Sequence, residues 1–165
     1  MNINELVLKS GSHSSPEYGL CFMEAVALFN GEKHSDHPGC ACLVLTSYMI
    51  RLNDSMNDEE RQLLKPFVTK IVGTRDGKSS KRLEILVKNA VCKVTPHVLK
   101  LTKNEELIKH AKILEDLASN FNYAAGAAAD AAADAARYAA GAGYVESRKV
   151  YWDMCINAIE ECLKV

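Results

Sequence analysis

The chain has 165 residues, of which 48% are hydrophobic and 25% charged, and its formal net charge is −1. This composition is typical of a folded globular protein with one ordinary core. A charge so close to zero gives no electrostatic attraction to nucleic acid or to an anionic membrane, so we expect neither partner. The first ten residues lack a long apolar run, and the longest charge-free apolar stretch, Cys40 to Ile50, is too short to span a bilayer. We therefore expect a cytoplasmic protein.

Helical spacing of apolar residues predicts an all-α fold, arranged as a single bundle-like domain, because no strand-and-hairpin rhythm occurs. Within this domain we distinguish a motif module over residues 10–75, central helices over 80–120, and alanine-rich and C-terminal helices over 121–165. The predicted helices cover residues 4–9, 16–29, 40–53, 67–72, 80–95 and 146–164, with two more beginning at Asn57 and Asn104.

Proline, glycine and small polar residues predict where several of these helices begin and end. Ser15 and Pro16 suit the start of the second helix, and Asn30-Gly31 its end. Pro66 and Pro96 are expected to interrupt the helical pattern, because proline lacks the N–H that a helix interior needs.

An alanine-rich segment spans residues 124–142, in which 13 of 19 residues are alanine. Alanine is the best helix former, so the segment is predicted to be helical. Its charged residues at 130, 134 and 137 fall on one helix face, which leaves a smooth surface of small side chains. This surface could pack inside the bundle or mediate self-association into a homo-oligomer, and both alternatives stay open.

The main clue to chemistry is the stretch between Gly11 and Cys42, which contains three of the five histidines and three of the six cysteines. Six cysteines are too few for a disulfide scaffold in a chain of this length, so reduced thiols are expected. The residue types in this stretch bind metals, transfer protons or attack carbonyl groups. They are His13, Cys21, Glu24, His34, Asp36, His37, Cys40 and Cys42.

Glu24 is the single charged residue in the apolar run LCFMEAVALF. A helix that is apolar on all sides is buried, and an ionised carboxylate buried without a partner is very costly. We therefore expect Glu24 to pair with Arg51, with a histidine, with a metal ion or with a ligand. A raised pKa of the carboxyl group is the remaining alternative.

A zinc site is one interpretation of the cluster. His37 and Cys40 are separated by a Pro-Gly turn that would hold their side chains together, and His13 and Cys21 could complete a tetrahedral site of two nitrogens and two sulfurs. The alternative is that the cysteines are small core residues and the histidines are solvated.

Covalent catalysis by Cys21 is a further interpretation. A cysteine near a helix start is favoured as a thiolate. The segment Gly19-Leu20-Cys21 resembles the Gly-x-Cys segment of papain-like cysteine hydrolases, in which a histidine at the start of a later strand is the partner. His37 and His97 follow Cys21 here, but the sequence predicts no strand.

The N-terminal half also resembles a family of phage and bacterial proteins without an assigned activity. The resemblance covers about residues 10–75, and the alanine-rich tail is similar in style. It implies that His13, Cys21, Glu24, Asp36, His37, Cys40, Asn53 and Asp54 form one constellation. The matching motifs are GSH (11–13), CFMEA (21–25), GEKHSDHPGC (31–40), RLND (51–54) and PFVTKIVGT (66–74).

Together these observations predict a phage-type accessory protein that binds a host protein or a small ligand, in a host-interaction or counter-defence role. The constellation would be a metal site or a polar knot, with Glu24, Asp36, Arg51, Asn53 and Asp54 as binding residues. One alternative is a small hydrolase or transferase that uses Cys21, Glu24 and His37. Another is a structural homo-oligomer built through the alanine-rich helix. The expected location is the cytoplasm, that of the host cell for a phage protein.

Overall fold

The computed structural model describes residues 2–119 and 145–165. All regular elements in these ranges are helical, apart from one isolated bridge between Leu8 and Leu20, so the predicted all-α class is confirmed. The α-helices are α1 (Phe22–Phe29), α2 (Leu43–Ser55), α3 (Asp58–Arg61), α4 (Ser79–Asn89), α5 (Thr95–Leu101), α6 (Glu105–Asp116) and α7 (Val145–Leu163). Short 3-10 segments cover Ile3–Glu5, Pro16–Tyr18, Gln62–Phe67 and Leu117–Ser119, and a π turn covers Ala90–Val94.

The chain forms two compact units, residues 1–82 and residues 83–165. The first unit contains all the residues of the predicted constellation. Its core is apolar and comes from α1, α2 and the turns on either side of them. The largest fully buried side chains in this unit include Leu6, Leu8, Phe22, Met23, Leu45, Met49, Leu64 and Ile71.

The predicted first helix over residues 4–9 is wrong. One 3-10 turn, Ile3–Glu5, is followed by an extended segment in which the Lys9 N–H donates to the Leu20 carbonyl at 2.9 Å. The cause is tertiary, because Leu6 and Leu8 are buried against the rest of the unit in this extended form. Packing thus overrides the local helix propensity.

The predicted helix over residues 16–29 is divided in two. Pro16–Tyr18 form a 3-10 turn, and Gly19 then adopts a φ of +132°, a conformation that L side chains rarely adopt. The helix proper, α1, begins at Phe22 with Cys21 as its N-cap. It ends as predicted at Asn30, after which Gly31 has a φ of +70°.

Pro66 lies inside the 3-10 turn Gln62–Phe67, and the helix predicted over residues 67–72 is absent, replaced by turns. Proline is compatible with a short 3-10 turn because few backbone donors are needed there. The predicted start at Asn57 is confirmed, since its side chain accepts the N–H groups of Glu59 and Glu60.

Helix α4 begins within the first unit and is followed directly by the π turn and α5, which belong to the second unit. Pro96 is the second residue of α5 and directly follows the π turn, so the predicted interruption is a local change of helix type. Asn104 caps α6 as predicted, and α7 matches the predicted last helix within a residue at each end. Val91 and Cys92 form a core cluster with Val87, Leu114 and Ala118.

The alanine-rich segment over residues 124–142 lies outside the described residues, so its predicted helix and its role in self-association stay predictions. Across the described part of the chain, no helix combines the length and the apolar character that crossing a bilayer requires.

Candidate functional site: a buried glutamate between two histidines

Glu24 is the centre of the site and is 1% exposed. It is the third residue of α1, and with Cys21 it forms a capping box: the Glu24 carboxylate accepts the Cys21 N–H at 2.8 Å, and the Cys21 sulfur accepts the Glu24 N–H at 3.5 Å. A carboxylate in the first turn also complements the helix dipole. The single acidic residue of the run LCFMEAVALF is therefore explained by its position, because a carboxylate at the start of α1 caps the helix and complements its dipole.

His13 is the main partner of this carboxylate. Its backbone N–H donates to Oε1 at 2.5 Å, and its ring Nδ1 lies 2.8 Å from Oε2. Burial alone would raise the pKa of Glu24. The hydrogen bonds from the N–H groups of His13 and Cys21 and from the His13 ring together lower it by more, so the net shift of the pKa is downward. Glu24 is accordingly an ionised carboxylate inside the unit.

Of the partners expected for Glu24, the structure has a histidine and not Arg51. Arg51 lies on the exposed face of α2. The residue that α2 does contribute is Asn53, which is 1% exposed.

Asn53 and Asp54 hold the segment that carries His13. The Asn53 side chain accepts the Phe22 N–H at 3.2 Å and donates to the Lys9 carbonyl at 2.9 Å. Asp54 accepts the Gly11 N–H at 2.8 Å. These bonds fix residues 9–13 across the start of α1, and they place Asn53 and Asp54 in one network with His13 and Glu24. The constellation that the resemblance implies is formed only in part, because Asp36, His37 and Cys40 lie outside this network.

His34 is not part of the constellation that the resemblance implies, yet it belongs to the site. Its Nε2 lies 2.8 Å from the His13 carbonyl oxygen and 3.6 Å from Glu24 Oε1. Its Nδ1 is buried and has no hydrogen-bond partner among the described residues. Motif position alone could not reveal this role, because the contact depends on how the loop after α1 folds back.

Cys21 is a buried thiol. Burial is the main cause that raises its pKa to about 12, and the negative charge of Glu24 raises it further. A thiol with such a pKa is almost entirely protonated at neutral pH and is a poor nucleophile. The arrangement therefore gives Cys21 a capping role and no support as a covalent catalyst.

The other predicted metal ligands lie elsewhere. His37 pairs with Asp36 at the surface, with 2.8 Å between Nδ1 and Oδ1, and Cys40 lies beside Glu32. Burial and Glu32 raise the pKa of the Cys40 thiol to about 11. No three ligand-type side chains among the described residues are grouped so that they could hold a metal ion. His13, Cys21, His37 and Cys40 are thus not brought together, and zinc binding stays a prediction.

Glu32 is a structural residue that the sequence analysis missed. Its carboxylate accepts the N–H groups of Gly39 and Cys40 at 2.6 and 3.0 Å and the Asn30 side-chain amide at 2.8 Å. It closes residues 32–40 into a compact loop. The available signal was an acidic residue at the start of a polar loop that ends in Pro-Gly.

Comparison with known proteins adds no relative. No family model matches the chain, and no curated protein and no solved structure matches it. The class that the fold and the site define is an all-α protein with a buried carboxylate–histidine network.

Proposed function

We propose that the protein acts by binding, as a phage-type accessory protein that engages a host protein or a small ligand. We further propose that the loop of residues 32–40, called the anchored loop, is the contact surface. In this account, the network around Glu24 is the polar knot that holds the loop and the N-terminal segment in place.

The anchored loop is fixed at both of its ends. Glu32 binds the two N–H groups at its far end, and the Cys40 carbonyl accepts the N–H groups of Gly73 and Arg75 at 3.1 and 3.3 Å. His34 ties the middle of the loop to the His13 carbonyl. A loop that is already ordered loses little conformational entropy when it binds, which favours a recognition role.

The proposal rests on the exposed side chains of Asp36 and His37 in this fixed loop. Pro38 is buried, whereas the His37 and Asp36 side chains are 60% and 37% exposed, with 2.8 Å between His37 Nδ1 and Asp36 Oδ1. A hydrogen-bonding pair held on a rigid loop offers a partner both an acceptor and a ring nitrogen at a defined position.

The two alternatives have less support. The hydrolase centred on Cys21 requires a thiolate, and burial raises the pKa of this thiol to about 12. The homo-oligomer depends on residues outside the described ranges, so no contact favours it.

Chemical crosslinking in host-cell extract tests the proposal, with wild type compared with the double variant Asp36→Ala/His37→Ala. We expect one crosslinked partner with wild type, which the double variant loses while its melting temperature stays within about 2 °C. Lys81→Ala, an exposed substitution in the same unit, is the matched control and should keep the partner. An equal yield from the double variant, or no partner with wild type, would contradict the proposal.

A further inference from the structure

A groove of about 540 Å³ lies in the first unit, and no residue of the anchored loop lines it. One wall is the extended segment around Lys9, the other comes from α3 and the turn after it, and His13 and Lys65 both line it. This volume is enough for a small organic molecule.

His13 is one of the residues that line the groove, and its ring is held by Glu24. Because the Glu24 carboxylate can only accept, Nδ1 donates to it, and in the tautomer with its proton on Nδ1 the ring has a lone pair on Nε2. The ring lies over Gly19, where an added Cβ would come within 3.1 Å of Nε2. The His13 side chain is 14% exposed, and its Nε2 has no hydrogen-bond partner among the described residues.

We propose that His13 is a general base in this groove, acting on water that attacks a small carboxylic ester carrying a negative charge. Glu24 is the positioning residue that holds the ring, and the Lys65 ammonium binds the negative charge. This inference is independent of the anchored loop and goes beyond the binding function proposed above.

The step is ordinary ester hydrolysis. Nε2 takes a proton from water as the water oxygen bonds to the ester carbonyl carbon. The tetrahedral intermediate then breaks its bond to the alcohol oxygen, which receives the proton from the imidazolium. Water and ester give a carboxylic acid and an alcohol, and the buried Glu24 carboxylate stabilises the imidazolium between the two steps.

The charges that face the groove favour an anionic ester near Lys65. Lys65 forms no ion pair with any residue that the structure describes, whereas the Lys9 ammonium donates to the Tyr18 carbonyl at 3.2 Å. On the opposite wall, Asp58 is paired with Arg61 at 2.5 Å, which leaves Glu59 as the remaining acidic group.

The test uses 4-nitrophenyl succinate, which carries a carboxylate, and the neutral 4-nitrophenyl acetate. His13→Asn keeps a donor in the place of Nδ1 and removes Nε2, so it removes the base while preserving the bond to Glu24. We expect it to lower kcat/KM for both esters at least about a hundredfold. Lys65→Met should raise KM for the succinate alone, and Lys81→Met should change neither ester.

Hydrolysis by wild type no faster than by His13→Asn would overturn the proposal. An equal change of KM for the two esters in Lys65→Met would show that Lys65 does not bind the negative charge of the ester. If His13→Asn does not fold, nitrogen NMR of wild type decides the question, since the proposal requires a ring protonated on Nδ1. A ring protonated on Nε2 would overturn it.

Discussion

Two carboxylate–histidine pairs in the first unit have the same length and different surroundings. His13 Nδ1 lies 2.8 Å from Glu24 and His37 Nδ1 lies 2.8 Å from Asp36. Glu24 is 1% exposed, whereas Asp36 and His37 are 37% and 60% exposed. Water competes for the exposed pair and is excluded from the Glu24 carboxylate, so equal distances represent very different free energies. Burial therefore decides which of the two pairs contributes to the free energy of folding.

The largest expected effect comes from neutralising the buried carboxylate. Glu24→Gln keeps the shape of the side chain but turns an amide donor toward N–H groups that need an acceptor. We expect it to lower the free energy of unfolding by about 3–5 kcal/mol, as for other broken buried pairs. Urea denaturation followed by circular dichroism measures this change.

Asp36→Asn is the matched control for this substitution, since it neutralises the exposed pair. It should change the free energy of unfolding by less than about 1 kcal/mol. Similar losses from the two variants would mean that burial does not distinguish the pairs.

The thiols beside the two acidic residues should differ in reactivity. Cys21 lies next to Glu24, and its pKa is raised to about 12, whereas the pKa of Cys40 beside Glu32 is raised to about 11. At pH 8 we expect Cys21 to be alkylated at least about tenfold more slowly than Cys40, because each pKa unit lowers the thiolate fraction tenfold. Mass spectrometry of peptides after timed iodoacetamide labelling gives both rates, and labelling of Cys21 as fast as Cys40 would be the contrary result.

Acid should weaken the stabilisation that Glu24 provides. Its pKa is lowered in the folded protein from an ordinary value of 4.5, so the unfolded chain takes up this proton at the higher pH. The contribution is therefore complete above about pH 4.5 and is lost as pH falls through the folded pKa. The difference in unfolding free energy between wild type and Glu24→Gln should shrink from pH 6 to pH 3. A difference that stays constant or grows over this range would show that the carboxylate is not ionised in the fold.

The smallest effect is expected for the loop. Glu32→Gln replaces the carboxylate that accepts the Gly39 and Cys40 N–H groups, and it should speed hydrogen exchange at these two amides. Amides of α1 should exchange as in wild type, because they belong to the buried network. Exchange measured by NMR separates the two regions, and faster exchange in α1 would show that the loop and the network are one cooperative unit.

The sequence predicted part of this site for physical reasons that can be named. An apolar run with one acidic residue predicts a buried, partnered carboxylate, and Glu24 is one. The sequence left the partner open among Arg51, a histidine, a metal ion and a ligand, because His13 is placed by the hydrogen bonds from Asn53 and Asp54, more than forty residues away from Lys9 and Gly11.

The fold shows the same division. Caps such as Asn57 and Asn104 act within a few residues and were predicted correctly. The extended segment through Leu8 was missed, because its conformation depends on Gln62, whose side chain bonds both the N–H and the carbonyl of Leu8 at 3.0 Å. Local patterns cannot contain such long-range contacts.

A pair of double-mutant cycles tests the central claim most directly, that the His13–Glu24 pair stabilises the fold whereas the His37–Asp36 pair does not. Unfolding free energies would be measured for His13→Ala, Glu24→Gln and the double variant, and for the equivalent set at His37 and Asp36. The account predicts a coupling energy above about 1.5 kcal/mol for the buried pair and below about 0.5 kcal/mol for the exposed pair. Equal coupling energies in the two cycles would contradict it.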